Sequence, residues 1–349
     1  MSVIGNVNAF HSNQLTGQPR HQKLDVMDSI IDIAPYDTPL LATIGRGQVP
    51  MDRVVHWVSD YGGQQPTTMT DVSSRNEGDD ATASAITSRC FYKNYLHIIG
   101  DAKSVTHTQA LLQQWGIEDE YYNQQERLAK KLLTQVNYAI MNSTIDEQSV
   151  GPNSSGNERN MGGLRDQIIT PASYIANGSQ RTGEAAYDNH IDAAGGLTTA
   201  HMNTALSSMW TNGGVDGGIV HALANSGVKE IVSELFAPVS GTSGIQRRNF
   251  GSDDRSIDMV VDVVKSEYCD VHLMLDRTVK DSAQGASDLL DTGDLLFFNP
   301  AWVELRVLQD LNVTDLAKVG SSWQFLMEWE GTICLVAPNT AGLLRGIAE

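Results

Sequence analysis

Cysteine is scarce in this 349-residue chain: Cys90, Cys269 and Cys334 lie far apart, are odd in number and form no C-x-x-C pair. That argues against a disulfide framework and against a cysteine-based zinc site. Positive charge is also scarce, with 24 Lys and Arg against 42 Asp and Glu, for a formal net charge of −18. Such a field repels nucleic acid. The densest basic clusters, Lys130-Lys131 and Arg247-Arg248, are short and read as solvated charge. Sequence-specific DNA binding is therefore disfavoured. No hydrophobic run reaches the length of a membrane-spanning helix. Met1–Phe10 has neither the basic nor the apolar region of a secretory signal, so N-x-S/T triplets at Asn142, Asn153, Asn177 and Asn312 read as chance. The expectation is a protein made in the reducing cytoplasm, with no membrane partner.

What is present suits a folded α+β protein. Hydrophobic residues make up 41% and charged residues 19%, an ordinary globular balance, and the length allows two lobes. Residues 1–50 read as a lead-in arm, polar up to Lys23, with Leu24, Met27, Ile30 and Ile31 at helical spacing before Pro35 and Pro39. Met51–Tyr61 is strand-like, with Val54, Val55, Trp57 and Val58, and so is Cys90–Ile99. Between them, residues 64–89 are polar, so 51–100 reads as an extended hairpin. So long a connection within a compact domain usually marks an interaction surface.

Residues 117–145 carry the clearest helix, a strut of roughly 42 Å at 1.5 Å per residue. Tyr121, Leu128, Leu132, Val136, Ala139 and Ile140 form its stripe, acidic residues fill its first turn, and Gly151-Pro152 closes the segment. Thr198 or Thr199 should cap a helix ending at Gly213-Gly214. A second helix spans about Asn225–Phe236, and alternating segments follow at Ile257–Val264 and Val271–Leu275. The stretch 197–294 reads as an α/β lobe. Strand-like runs at Leu295–Phe298, Trp302–Leu308 and Trp323–Val336 follow. The flanking segments 101–196 and 295–349 then form a second, discontinuous lobe.

Candidate chemistry is sparse. Asp291-Thr292-Gly293 matches the aspartic-protease tripeptide, but that chemistry needs two such aspartates. There is one copy, and Asp294 follows it where that site has a small residue. Gly241-Thr242-Ser243-Gly244 falls short of G-x-S-x-G, and Gly213–Gly218 follows a helix, unlike a phosphate loop. Nine histidines are scattered; His56 and His97 fall in the two hairpin strands and are candidate neighbours. Asp79-Asp80 and Asp253-Asp254 read as solvated loop charge. No catalytic, cofactor-binding or metal-ligating residue is assigned, and no cofactor.

The order of parts resembles the tailed-bacteriophage major capsid proteins, whose fold is shared with encapsulin shells. More specifically it is similar to the family typified by elongated-head podoviruses. The matching stretches are Thr38-Pro39-Leu40-Leu41, Asn76-Glu77-Gly78, Met161-Gly162-Gly163-Leu164, Leu316-Ala317-Lys318-Val319-Gly320, Glu328-Trp329-Glu330-Gly331-Thr332 and Asn339-Thr340-Ala341-Gly342. The resemblance implies an N-terminal arm at 1–50 and an extended hairpin loop at 51–100. It implies a peripheral domain at 101–196 and 295–349 with spine helix 117–145, and an axial domain at 197–294. It implies a non-enzymatic subunit that assembles with itself, as hexamers and pentamers, into an icosahedral virion shell around phage DNA in the host cytoplasm. Scaffolding, portal and decoration proteins are further expected partners, and contact with packaged DNA is non-specific. The alternatives are an encapsulin-type nanocompartment and, from another class, a cytoplasmic hydrolase using Asp291.

Overall fold

The strands of the described residues sort into three sheets, two of which pack on one long helix. The computed structural model describes residues 36–59, 77–78, 80, 90–112, 117, 119–145, 159–175, 189–193, 196–215, 218–236, 262–279, 293–318 and 320–347. In chain order the first half contains α1 (Pro39–Thr43), β1 (Gly45–Arg46), β2 (Val54–Ser59), β3 (Cys90–Tyr95), β4 (His97–Thr106), α2 (His107–Leu111), α3 (Glu120–Asn142) and α4 (Leu164–Ile169). There follow β5 (His190–Asp192), α5 (Thr199–Thr211), β6 (Ile219–Ala224), α6 (Ser226–Phe236), β7 (Val263–Lys265), β8 (Asp270–Leu275), β9 (Gly293–Phe298), β10 (Val303–Leu316), β11 (Ser322–Leu335) and β12 (Gly342–Ile347).

The first sheet is a long ribbon in the order β1-β10-β11-β4. β10 and β11 are each 14 residues, roughly 45 Å at about 3.3 Å per residue. They run antiparallel, with bulges between Val307 and Asn312 that increase the local twist. The turn joining them contains Gly320 at φ +66°, a left-handed conformation that glycine adopts without strain. The Leu316–Gly320 motif is therefore the tip of a hairpin. β4 pairs with β11 along its whole length, from His97 opposite Gly331 to Thr106 opposite Ser322.

α3 starts at Asp119, whose carboxylate accepts from Tyr121 N at 2.8 Å, and ends at Asn142, where Ser143 is extended. It is thus 23 residues rather than the expected 117–145, and Gly151-Pro152 lies outside the described residues. Leu128 and Leu132 pack on Phe325 and Met327 of the ribbon. One to two turns further on, Val136, Ala139 and Ile140 join Leu40, Trp329 and Phe298 in the main core. One apolar stripe thereby holds the ribbon at one end and the body at the other. Leu40 itself is the buried residue of α1, with Pro39 at its first position, so the Thr38–Leu41 motif is a plug in that core.

The six-stranded sheet has the order β5-β12-β9-β6-β8-β7. β9 is buried throughout because both faces are covered. Leu296 and Phe298 face the main core. Leu295 and Phe297 face a second core under α5 and α6, with Met202, Leu206, Val228 and Val232. A strand covered on both faces reads as a continuous apolar run, as 295–298 does. Thr198 caps α5 by accepting from His201 N, and Gly213 at φ +77° follows its end.

The expected lobe 197–294 takes strands from outside its bounds: β12, at the end of the chain, lies between β9 and β5. The expected strand Cys90–Ile99 is two strands. β3 pairs with β2, from Val54 opposite Tyr95 to Ser59 opposite Cys90, and β4 leaves for the ribbon. His56 consequently lies opposite Lys93, and His97 opposite Gly331, so the two are not register neighbours. Of Ile257–Val264, residues 257–261 lie outside the described residues, and Val263 and Val264 fall in β7. The helix expected at Leu24–Ile31 and most of the hairpin tip lie outside the described residues.

Candidate functional site

Asp291, Gly241–Gly244 and Arg247-Arg248 also lie outside the described residues. Asp294 does not: it is buried on β9 and accepts from Arg165 Nε of α4 at 2.5 Å. A buried carboxylate needs such a partner. The charge that departs from the protease pattern is thus half of an ion pair tying α4 to the central strand.

The cysteine thiols are buried. Burial pushes Cys269 up to about 11 and Cys334 up to about 12, so neither is a thiolate nucleophile at neutral pH. Among the described residues no group of three or more His, Cys, Asp or Glu side chains could hold a metal ion. One pair does come together. His221 on β6 and His272 on β8 sit in register on parallel strands with ring centroids 5.8 Å apart. Their separation in sequence hid this, although each interrupts an apolar strand at the same phase.

Polar interior residues serve as joints. Asn137 of α3 donates to the Asp276 carboxylate at 2.9 Å and to Thr278 Oγ1 at 2.9 Å, and accepts from Leu41 N at 3.1 Å. Gln167 donates to Gly162 O at 2.9 Å and accepts from Leu335 N at 3.0 Å. These bonds satisfy buried backbone and carboxylate groups that would otherwise cost stability. They also fix the spine, the ribbon and the six-stranded sheet to one another.

The exposed surface is where the molecule is unfinished. Along the ribbon, Ile98, Leu308, Val313, Leu316 and Trp323 stand 37–50% exposed. On the next segment Leu111 and Leu112 are 70% and 64% exposed. Val58 and Phe91, opposite one another on β2 and β3, are half exposed. Single exposed apolar residues are ordinary, but rows of them on projecting elements mark interaction surfaces. Charge is arranged beside them. Lys131 pairs with Asp101 at 2.8 Å and holds that carboxyl below the usual range. Arg46 does the same to Asp310. Lys103, Arg127 and Lys131 line a groove of about 500 Å³ with Tyr36, a basic patch missed in the sequence because it draws on two elements.

A strut helix, a long four-stranded ribbon, a paired hairpin arm and a two-cored sheet lobe, with apolar rows on the projecting parts, define a self-assembling shell subunit. Residues 8–348 match the family described as SU10 major capsid protein, and the chain belongs to that family. Its fold is similar to the cyanophage A-1(L) capsid asymmetric unit, with TM-score 0.63 and 12% identity over 93% of this chain and 96% of that one. It is likewise similar to the capsid of cyanophage P-SCSP1u, with TM-score 0.58 and 12% identity over 96% of each chain. The SrpI encapsulin of Synechococcus elongatus PCC 7942 aligns with TM-score 0.52 and 9% identity, over 94% of this chain and 92% of that one. No curated protein matches the chain. The chain is a major capsid protein, a virion component with a structural role.

Proposed function

We propose that this subunit forms hexamers and pentamers that close into an icosahedral shell around phage DNA, assembled in the host cytoplasm. The six-stranded-sheet lobe is the axial part, and the spine helix with the ribbon is the peripheral part. The observation that carries this reading is the placement of apolar side chains on elements that project from both cores. Copies of the same chain bury those rows, and many modest contacts per subunit stabilise a closed shell. Scaffolding, portal and decoration proteins act on this surface, DNA contacts are non-specific, and no residue is catalytic.

The hairpin arm supplies the test. Residues 64–89 are too polar to form a core, whereas β2 and β3 pack Val55, Trp57 and Tyr92 under Tyr174 and Cys334. Deleting 66–86 and joining the strands with a two-residue Asn-Gly turn should leave the melting temperature of dispersed subunits close to the parent's. It should also abolish particles in sedimentation. A large fall in melting temperature would place the segment in the subunit's own core, and normal particles would show that the arm is not an assembly contact.

A further inference from the structure

We propose that His221 and His272 form a two-imidazole site for a divalent transition-metal ion of the copper, nickel or zinc kind, beside the exposed Ile219 and Val263 on the main-core face of the six-stranded sheet. β6 and β8 pair in parallel, and the register puts the two histidines side by side. Two imidazoles bound to one near-tetrahedral ion at about 2.0–2.1 Å per nitrogen have ring centroids about 5–6 Å apart. The observed centroids are 5.8 Å apart, with the planes inclined at 57°. The centroid separation is therefore the one that chelation by both rings requires.

The surroundings leave the rings available. Neither imidazole makes a hydrogen bond to any described residue, and Nδ1 of His221 is buried with no partner. Buried polar atoms are normally satisfied, so this one calls for an explanation. The row across the sheet runs Val263, His272, His221, Phe298. No lysine, arginine or carboxylate in that row consumes the rings. One step along the same face, Asp270 lies opposite Lys265 and Ile219. On the same face Leu223, Leu296 and Phe298 belong to the main core with α3, whereas Ile219 and Val263 are 48% and 43% exposed. Both histidines are half-buried there, within reach of an ion from solvent.

The chemistry sets the selectivity. Two neutral nitrogens with no thiolate or carboxylate suit Cu²⁺, Ni²⁺ and Zn²⁺, with Cu²⁺ bound most tightly, and give Mg²⁺ and Ca²⁺ nothing they prefer. With two protein ligands, one from each strand, the ion acts as a clip between β6 and β8. It would stiffen the sheet lobe without supplying catalysis.

The test uses the full-length protein. Histidine acylation by diethylpyrocarbonate, mapped by mass spectrometry with and without ZnCl2, reads each site in the unaltered chain. His221 and His272 should react without zinc and be protected at least tenfold with it, while exposed His56 and His190 are unchanged. Calorimetric titration should then give one ion per chain in the order Cu²⁺, Ni²⁺ or Zn²⁺, and no heat with Mg²⁺. His221→Gln and His272→Gln should each weaken binding at least tenfold. If zinc leaves both histidines equally reactive, if neither reacts without zinc, or if both variants titrate like the parent, the pair only packs and the proposal is overturned. The footprint decides the matter even where a variant fails to fold.

Discussion

Asn94 clamps Gly162: its Oδ1 accepts from Gly162 N at 2.9 Å while its Nδ2 donates to Gly162 O at 3.0 Å. The same Nδ2 reaches Ile333 O at 2.7 Å. One fully buried amide therefore holds β3, the Met161–Leu164 turn and β11 together. Asn94→Ala removes the acceptor of buried Gly162 N and leaves Gly162 O and Ile333 O with Gln167 Nε2 alone, and should cost about 1–3 kcal/mol, read by urea unfolding of dispersed subunits. Gly162→Ala should do worse. A Cβ there would lie 1.7 Å from Tyr174 Oη, and Tyr174 is itself fixed by its short bond to Asp166. An unchanged unfolding midpoint for Asn94→Ala would contradict the clamp.

The joint at Asn137 should behave as a coupled unit. Asn137→Ala removes a partner of the buried Asp276 carboxylate and of Leu41 N, and should lower stability by about 2–4 kcal/mol. Thr278→Val breaks the neighbouring bond of the same network. A double-mutant cycle between the two should show coupling of about 0.5–3 kcal/mol. Strict additivity would mean that the bonds act separately.

Arg165 and Asp294 make a sharper separation between structure and chemistry. Arg165→Met removes the cationic partner of a buried carboxylate and should cost about 3–5 kcal/mol. Adding Asp294→Leu removes that charge and should restore much of the loss. Asp291→Asn should leave particle formation intact. A peptidase activity in the pure protein that Asp291→Asn abolishes would overturn the structural reading.

Alkaline pH should expose the buried thiols. The ordinary thiol value is 9.0, and burial raises Cys334 to about 12. A group with a raised folded value binds its proton more tightly when folded. Its contribution is therefore fully present below the unfolded value and is lost as pH climbs from 9 toward 12. Stability should fall over that window, and Cys334→Ala should flatten the slope. At pH 8, iodoacetamide should label Cys334 only after unfolding. Rapid labelling of native protein would show the thiol to be accessible.

Local pattern carried the reading wherever one face of an element is buried. The stripe Leu128, Leu132, Val136 and Ile140 read correctly because a helix repeats its contacts every three or four residues. β2 and β3 read correctly because aromatic and β-branched residues crowd them. What escaped depends on partners distant in sequence. Nothing in Gly342–Ile347 says that it enters a sheet beside β9 and β5. The break at Leu96 is invisible because β3 and β4 are apolar on either side of it. Asn94, Asn137 and Gln167 look like surface residues until their partners are known. His221 and His272 become a pair only through strand register.

Electron microscopy of the purified full-length protein tests the central claim most directly. Negative-stain images, checked by sedimentation, should show closed, hollow particles of uniform size or the ring-shaped oligomers from which they form. Trp323→Asp on the ribbon should shift the material to dispersed subunits. A single monomeric or dimeric species across salt and crowding conditions, with the same behaviour in the variant, would contradict the assignment of this chain as a self-assembling capsid subunit.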